Sequence, residues 1–160
     1  MSNVIMMCGV CGSGKTTYSK QKEKEGYIRL SIDEEMWNTY GQRGIDYPEN
    51  QYDILSEKTE LVLREKLESL IKHGKNVVVD FSFWNKENRA LYRNIIKKAG
   101  GTVELVYMKA DKELLWERLQ KRNLTLNANS PFIITNEILE HHYNGFQEPL
   151  GEGEIVLLQQ

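Results

Sequence analysis

Five apolar, strand-like runs alternate with segments of helical periodicity along the 160 residues, and that order predicts an α/β fold on a five-stranded parallel sheet flanked by helices. The first run, Val4-Ile5-Met6-Met7-Cys8, feeds straight into the glycine-rich stretch Gly9-Val10-Cys11-Gly12-Ser13-Gly14-Lys15-Thr16. No internal repeat, low-complexity tract or linker breaks the pattern, so residues 1–160 are expected to form one domain.

Taken in order, residues 3–8 read as the first strand and 15–25 as the first helix, stopped by Gly26. Tyr27 to Ile32 reads as the second strand and Glu34 to Tyr40 as a short helix, followed by a loop holding Gly41, Gly44 and Pro48. From Gln51 to His73, Ile54, Leu55, Leu61, Val62, Leu67, Leu70 and Ile71 keep helical spacing, and Gly74 closes the element. Asn76 to Phe81 is the third expected strand, 86–99 a helix, Thr102 to Met108 the fourth strand and 112–122 a helix. The Asn-rich stretch 123–131 reads as a loop, 135–146 as a helix and Glu154 to Leu158 as the last strand.

Composition bounds the partners. With 21 basic and 23 acidic residues the formal net charge is −2, which argues against general nucleic-acid or anionic-membrane binding. No secretory signal pattern precedes the first strand and no apolar run approaches a membrane span, so a cytoplasmic protein, monomer or homodimer, is expected. Cys8 and Cys11 form a C-x-x-C spacing, but no second pair completes a zinc site and His73, His141 and His142 are distant in sequence. The two adjacent histidines read as a solvated helix surface.

Chemistry concentrates at the carboxyl ends of the strands, where open α/β sheets bind ligands. A G-x-x-x-x-G-K-T loop between strand and helix lets successive backbone N–H groups turn inward around phosphate. Gly9, Cys11, Gly12, Ser13, Gly14, Lys15, Thr16 and Thr17 are therefore the expected nucleotide-binding residues, with Lys15 at the phosphates and Thr16 on Mg²⁺. Asp80 ends the third strand, either beside the metal or as a cap of the next helix. Asp33 ends the second, either as a base for an acceptor hydroxyl or as a helix N-cap. Arg118 and Arg122 share one helix face ahead of a loop, either as a lid that neutralises developing charge or as a solvated basic helix end. Rings follow both carboxylates: Trp37, Tyr40, Tyr47 and Tyr52 after Asp33, and Phe81, Phe83 and Trp84 after Asp80. They read either as core or as a wall for a small organic acceptor, with Arg43 and Arg89 as the nearby cations.

These motifs together resemble the AAA-type ATP-binding P-loop kinases, the small group that includes zeta toxins, chloramphenicol phosphotransferase and the kinase domain of polynucleotide 5′-kinases. The resemblance runs through Gly9 to Thr16, Ser31-Ile32-Asp33, Val78-Val79-Asp80-Phe81 with Arg89, Arg118-Leu119 to Arg122-Asn123, and Ile138 to Pro149. It implies a P-loop NTPase fold with a small helical lid over about 118–134, and a phosphotransferase that uses ATP and Mg²⁺. It further implies catalytic Lys15, Asp33 and Arg122 or Arg118 and puts Arg89 on the acceptor or the γ-phosphate; the strand ends add Thr16 and Asp80 as metal-binding and the rings and cations add Trp37, Arg43 and Trp84 beside Asp33 and Arg89 as acceptor-binding. The rings and the few nearby cations favour a small hydroxyl-bearing acceptor such as a sugar, nucleoside or antibiotic; a polynucleotide 5′-hydroxyl, an ATPase switch and a silent ATP-binding module are the alternatives. Many relatives have small polar groups after the third strand, where this chain has Asp80-Phe81-Ser82-Phe83-Trp84-Asn85.

Overall fold

The computed structural model describes residues 1–160. Its elements are β1 (Asn3–Cys8), α1 (Lys15–Lys24), β2 (Ile28–Leu30), α2 (Ile32–Tyr40), a 3₁₀ turn (Glu49–Gln51), α3 (Tyr52–Lys72), β3 (Val77–Val79), α4 (Lys86–Lys98), β4 (Thr102–Lys109), α5 (Lys112–Arg122), α6 (Asn136–Gly145) and β5 (Ile155–Leu158). The strands form one parallel sheet in the order β2-β3-β1-β4-β5. β1 is central, paired with β3 through Val4–Val77 and with β4 through Asn3–Thr102, which is why its run is apolar on both faces.

Alternation along β1 divides the interior. Val4, Met6 and Cys8 pack with Leu63, Leu67 and Ile71 of α3 and Tyr92 and Ile96 of α4. Ile5 and Met7 pack with Val78, Val106 and Met108 beneath Tyr18 of α1. A satellite cluster, Leu115, Leu119, Ile134 and Leu139, joins α5 and α6 to the segment between them. Each large apolar side chain so enclosed contributes about 1.5–3 kcal/mol relative to exposure.

Several boundaries differ from the sequence expectation for identifiable reasons. The second strand stops at Leu30, because Ser31, in extended conformation, accepts a hydrogen bond from the Glu34 amide at 3.3 Å and so caps a helix that already includes Ile32. In α3 the buried stripe is Thr59, Leu63, Leu67 and Ile71, spaced by four, whereas Ile54, Leu61 and Val62 face solvent. The third strand ends at Val79, and the Asp80 amide donates to the Leu30 carbonyl at 2.8 Å, carrying the backbone pairing one residue beyond it. Phe81 and Phe83 then turn inward, stacked at 5.5 Å and edge-on to Tyr92 at 5.7 and 5.0 Å. They belong to the core and form no wall of the crevice. No helix is long and apolar enough to cross a membrane.

Candidate active site

The loop between β1 and α1 is shaped by what its glycines avoid. A Cβ on Gly9 would lie 2.6 Å from Ser13 Oγ and 2.8 Å from the Met108 carbonyl oxygen, and Gly14, with φ of 100°, turns the chain into α1. Lys15 Nζ donates to the carbonyls of Gly9 at 2.9 Å and Val10 at 3.0 Å, and burial lowers its pKa. Ser13 Oγ is buried without a hydrogen-bond partner. An inward hydroxyl, an ammonium folded over the loop and a helix N-terminus beneath it fit a polyphosphate group. Thr17 lies on the exposed side of α1.

The donors expected at the metal meet: Thr16 Oγ1 donates to Asp80 Oδ2 at 3.2 Å. Both supply oxygen, the ligand type Mg²⁺ takes. Asp80 is also held by a residue that the sequence reading passed over. Arg29 of β2 donates to Asp80 Oδ2 from Nε at 3.0 Å and from Nη2 at 2.7 Å, to Glu34 from Nη1 at 2.5 Å, and to Asn129 Oδ1 from Nη2 at 2.8 Å. The available signal was one charged residue inside an otherwise apolar strand, Tyr27 to Ile32.

Asp33 lies within electrostatic reach of Asp80, Lys15, Arg122 and Arg29. Ser31 provides the cap of α2, so Asp33, the second helical residue, is not needed for that purpose. Burial, reinforced by the negative charge of Asp80, pushes its pKa up to about 6 against the opposing fields of Lys15, Arg122 and Arg29. Arg122 Nη2 donates to the Asn129 carbonyl at 2.7 Å, and Arg118 Nη1 reaches the Gly12 carbonyl at 3.4 Å. Neither arginine is a free solvated helix end. The base of the loop between α5 and α6 is fastened by Asn123, whose side chain pairs with the amide and carbonyl of Ile134, both at 2.9 Å.

The expected acceptor residues are dispersed. Arg43 lies over the rings of Tyr52 at 4.3 Å and Phe132 at 4.6 Å, joining the α2–α3 segment to the α5–α6 loop. Trp37 is half-buried on α2, and Trp84, 48% exposed, lies against Gly145 at the end of α6. Arg89 is in a different place from the one expected. It is fully buried, with Nε and Nη2 on Glu152 at 2.9 and 3.0 Å and Nη1 on the Phe83 carbonyl at 2.7 Å. All three of its nitrogens are committed to the protein, because a cation inside a core needs a partner for its charge and donors.

His141 and His142 lie exposed on α6, as expected, but His142 also makes a contact that the spacing did not suggest. Its Nδ1 is 3.6 Å from Cys11 Sγ, so α6 touches the glycine-rich loop. Burial raises the thiol pKa of Cys11 and that of Cys8, the latter to about 11, which keeps both protonated. Both cysteines are free, and no cluster of three metal-ligating side chains surrounds them.

Fold and loop together define a small P-loop protein with the architecture of the P-loop kinases. Residues 4–149 match the AAA domain family AAA_33, and the chain belongs to that family. It is 29% identical over 122 residues to a UPF0200 protein of Pyrobaculum aerophilum, spanning 76% of this chain and 67% of the relative. Among solved structures it is similar to a gluconokinase from Sinorhizobium meliloti 1021, with TM-score 0.67 and 18% identity over 98% of this chain and 82% of that one. It also superposes on a chain of the Pnkp1/Rnl/Hen1 RNA repair complex, with TM-score 0.74 and 17% identity over 90% of this chain, although it spans only 43% of the other. Kti12 of Chaetomium thermophilum in complex with ADP-AlF3 gives TM-score 0.61 and 16% identity over 97% and 88% of the two chains. At such identities these likenesses establish the fold.

Proposed function

We propose that the protein is an ATP- and Mg²⁺-dependent phosphotransferase that moves the γ-phosphate of ATP to a hydroxyl of a small molecule such as a sugar, nucleoside or antibiotic. One observation carries the reading: a carboxylate released from helix capping, Asp33, feels the charges of Lys15, Asp80 and Arg122 at the end of the phosphate loop. A carboxylate on that side can orient an acceptor hydroxyl and take its proton, which is what a kinase requires.

In this reading the amides from Gly12 to Thr16 and the α1 N-terminus hold the β- and γ-phosphates. Lys15 leaves the Gly9 and Val10 carbonyls to bind the phosphates, exchanging two neutral acceptors for a charged one. Thr16 and Asp80 would hold Mg²⁺, which when bound neutralises phosphate charge. Asp33, with its pKa near 6, is ionised at neutral pH and accepts the acceptor's proton. Arg122, anchored at Asn129, supplies positive charge where it accumulates on the transferring group, and Arg118 lies over Gly12 on the nucleotide side. With Phe81 and Phe83 in the core, the acceptor is bounded by Trp37, Tyr47, Tyr52, Arg43 and Phe132. The reading places the protein in the cytoplasm, where ATP is supplied.

The test is transfer of labelled phosphate from ATP to a panel of sugars, nucleosides, antibiotics and 5′-hydroxyl oligonucleotides, with mass analysis of products. A phosphorylated small molecule supports the reading. Labelling of oligonucleotides alone makes the protein a polynucleotide kinase, and release of inorganic phosphate with every acceptor refutes phosphotransfer.

A further inference from the structure

Arg29 has no part in the mechanism above, yet its side chain has more charged contacts than any other in the crevice. Its guanidinium side chain is 4% exposed, Asp80 is likewise 4% exposed, and Glu34 closes the group from α2. Both Nε and Nη2 converge on a single oxygen, Asp80 Oδ2, the oxygen that also receives the Thr16 hydroxyl. Asp80 Oδ1 takes no hydrogen bond from the chain, so one oxygen is clamped by three donors and the other is left as the free ligand. Nη2 continues to Asn129, whose backbone carbonyl is held by Arg122.

We propose that Arg29 is a positioning residue for the metal site: a resident cation that fixes Asp80 by Oδ2 and offsets its charge, so that a divalent cation enters only together with nucleotide phosphates. This rests on the assignment of Thr16 and Asp80 to the metal. Around Asp80 the acidic Asp33 and Glu34 face the basic Lys15, Arg29 and Arg122, so acidic and basic side chains are three of each. Removing Arg29 leaves an excess of negative charge around oxygen ligands, which is the composition of a hard-cation site. With the nucleotide present, the phosphates add the negative charge that the resident cation has offset. Metal and ATP then bind as one unit, and the bare protein does not collect divalent ions. An arginine suits this role better than a lysine, because its planar fork places two N–H groups on one oxygen while a third reaches Glu34.

The experiment is Mn²⁺ binding, followed by electron paramagnetic resonance on the full chain, with and without ATP. Wild type should bind Mn²⁺ no better than Asp80→Asn when nucleotide is absent, and at least about tenfold better when ATP is present. Arg29→Gln should gain nucleotide-free Mn²⁺ binding by about tenfold or more, as expected for loss of one close positive charge. Arg29→Lys, which keeps the charge, should stay near wild type, and Arg29→Gln combined with Asp80→Asn should lose the gain. Unchanged nucleotide-free binding in a folded Arg29→Gln overturns the proposal. Should that variant not fold, the wild type still decides: tight nucleotide-free binding abolished by Asp80→Asn overturns it equally. If Asp80→Asn leaves ATP-dependent Mn²⁺ binding intact, the metal assignment itself fails, an outcome separate from the role of Arg29.

Discussion

Replacing Arg89 by Met distinguishes a structural cation from an acceptor-binding one. The perturbation removes one partner of an ion pair whose side chains are 0% and 7% exposed. Stranding a buried charge in this way typically costs about 3–5 kcal/mol. Arg93 remains beside Glu152, 3.4 Å from its carboxylate and 2.7 Å from its carbonyl, which places the loss at the low end, about 3 kcal/mol. For a chain of this size about 1 kcal/mol moves Tm by roughly 2–4 °C, so Arg89→Met should melt roughly 6–12 °C lower by calorimetry. The effect should also depend on pH. The hydrogen bond from Arg89 holds Glu152 below its ordinary value of 4.5. A depressed carboxyl contributes stability that is present above its unfolded value and is lost as pH falls through its folded value. The gap between wild type and variant should therefore be full above pH 4.5 and narrow in more acid solution. At a temperature where both are folded, the acceptor KM should not move. An unchanged Tm together with a raised acceptor KM would refute the structural assignment and return Arg89 to the substrate.

Lys15→Ala should abolish ATP-dependent transfer while leaving Tm within a few degrees of wild type; near-normal turnover would remove the phosphate loop from the mechanism. Asp33→Asn should keep ATP affinity by calorimetry and lose about 10²- to 10⁴-fold in transfer rate. Because the base must be ionised, kcat/KM of wild type should rise with pH through about 6, and that acid limb should be missing from the residual activity of Asp33→Asn. Chelation should stop transfer, and Mg²⁺ or Mn²⁺ should restore it; activity that survives thorough chelation excludes the roles given to Thr16 and Asp80.

Backbone periodicity made the architecture readable in advance: an apolar central strand, a glycine loop and alternating helices leave little choice of topology. What sequence spacing could not resolve were competitions between neighbouring residues for one task. Ser31 and Asp33 could both begin a helix, and only the 3.3 Å bond from the Glu34 amide shows that serine takes the cap. Arg89 and Arg29 are alike as letters, yet one pairs with Glu152, sixty-three residues away, and the other with Asp80, fifty-one away. Phe81 and Phe83 gave no sign that the chain would turn them under the sheet, since an inward ring and a crevice ring have the same composition. The contact between Cys11 and His142 joins segments 131 residues apart, beyond the reach of any local pattern.

Phe83, with φ of 46°, is the only residue other than glycine in the left-handed region, and the carbonyls around it are all engaged. Ser82 accepts from the Gly9 amide at 3.2 Å, Phe83 from Arg89 at 2.7 Å, and Trp84 from the Gln147 amide at 2.7 Å. This turn is thus riveted to the phosphate loop, to α4 and to the segment after α6. The α2–α3 segment and the α5–α6 loop, by contrast, meet only through side chains such as Arg43, Tyr52 and Phe132. Under the proposed reading, a change of acceptor preference has the side chains of Arg43, Tyr47 and Tyr52 to work on, while the turn at Phe83 and the Asn123 and Asn129 anchors stay put.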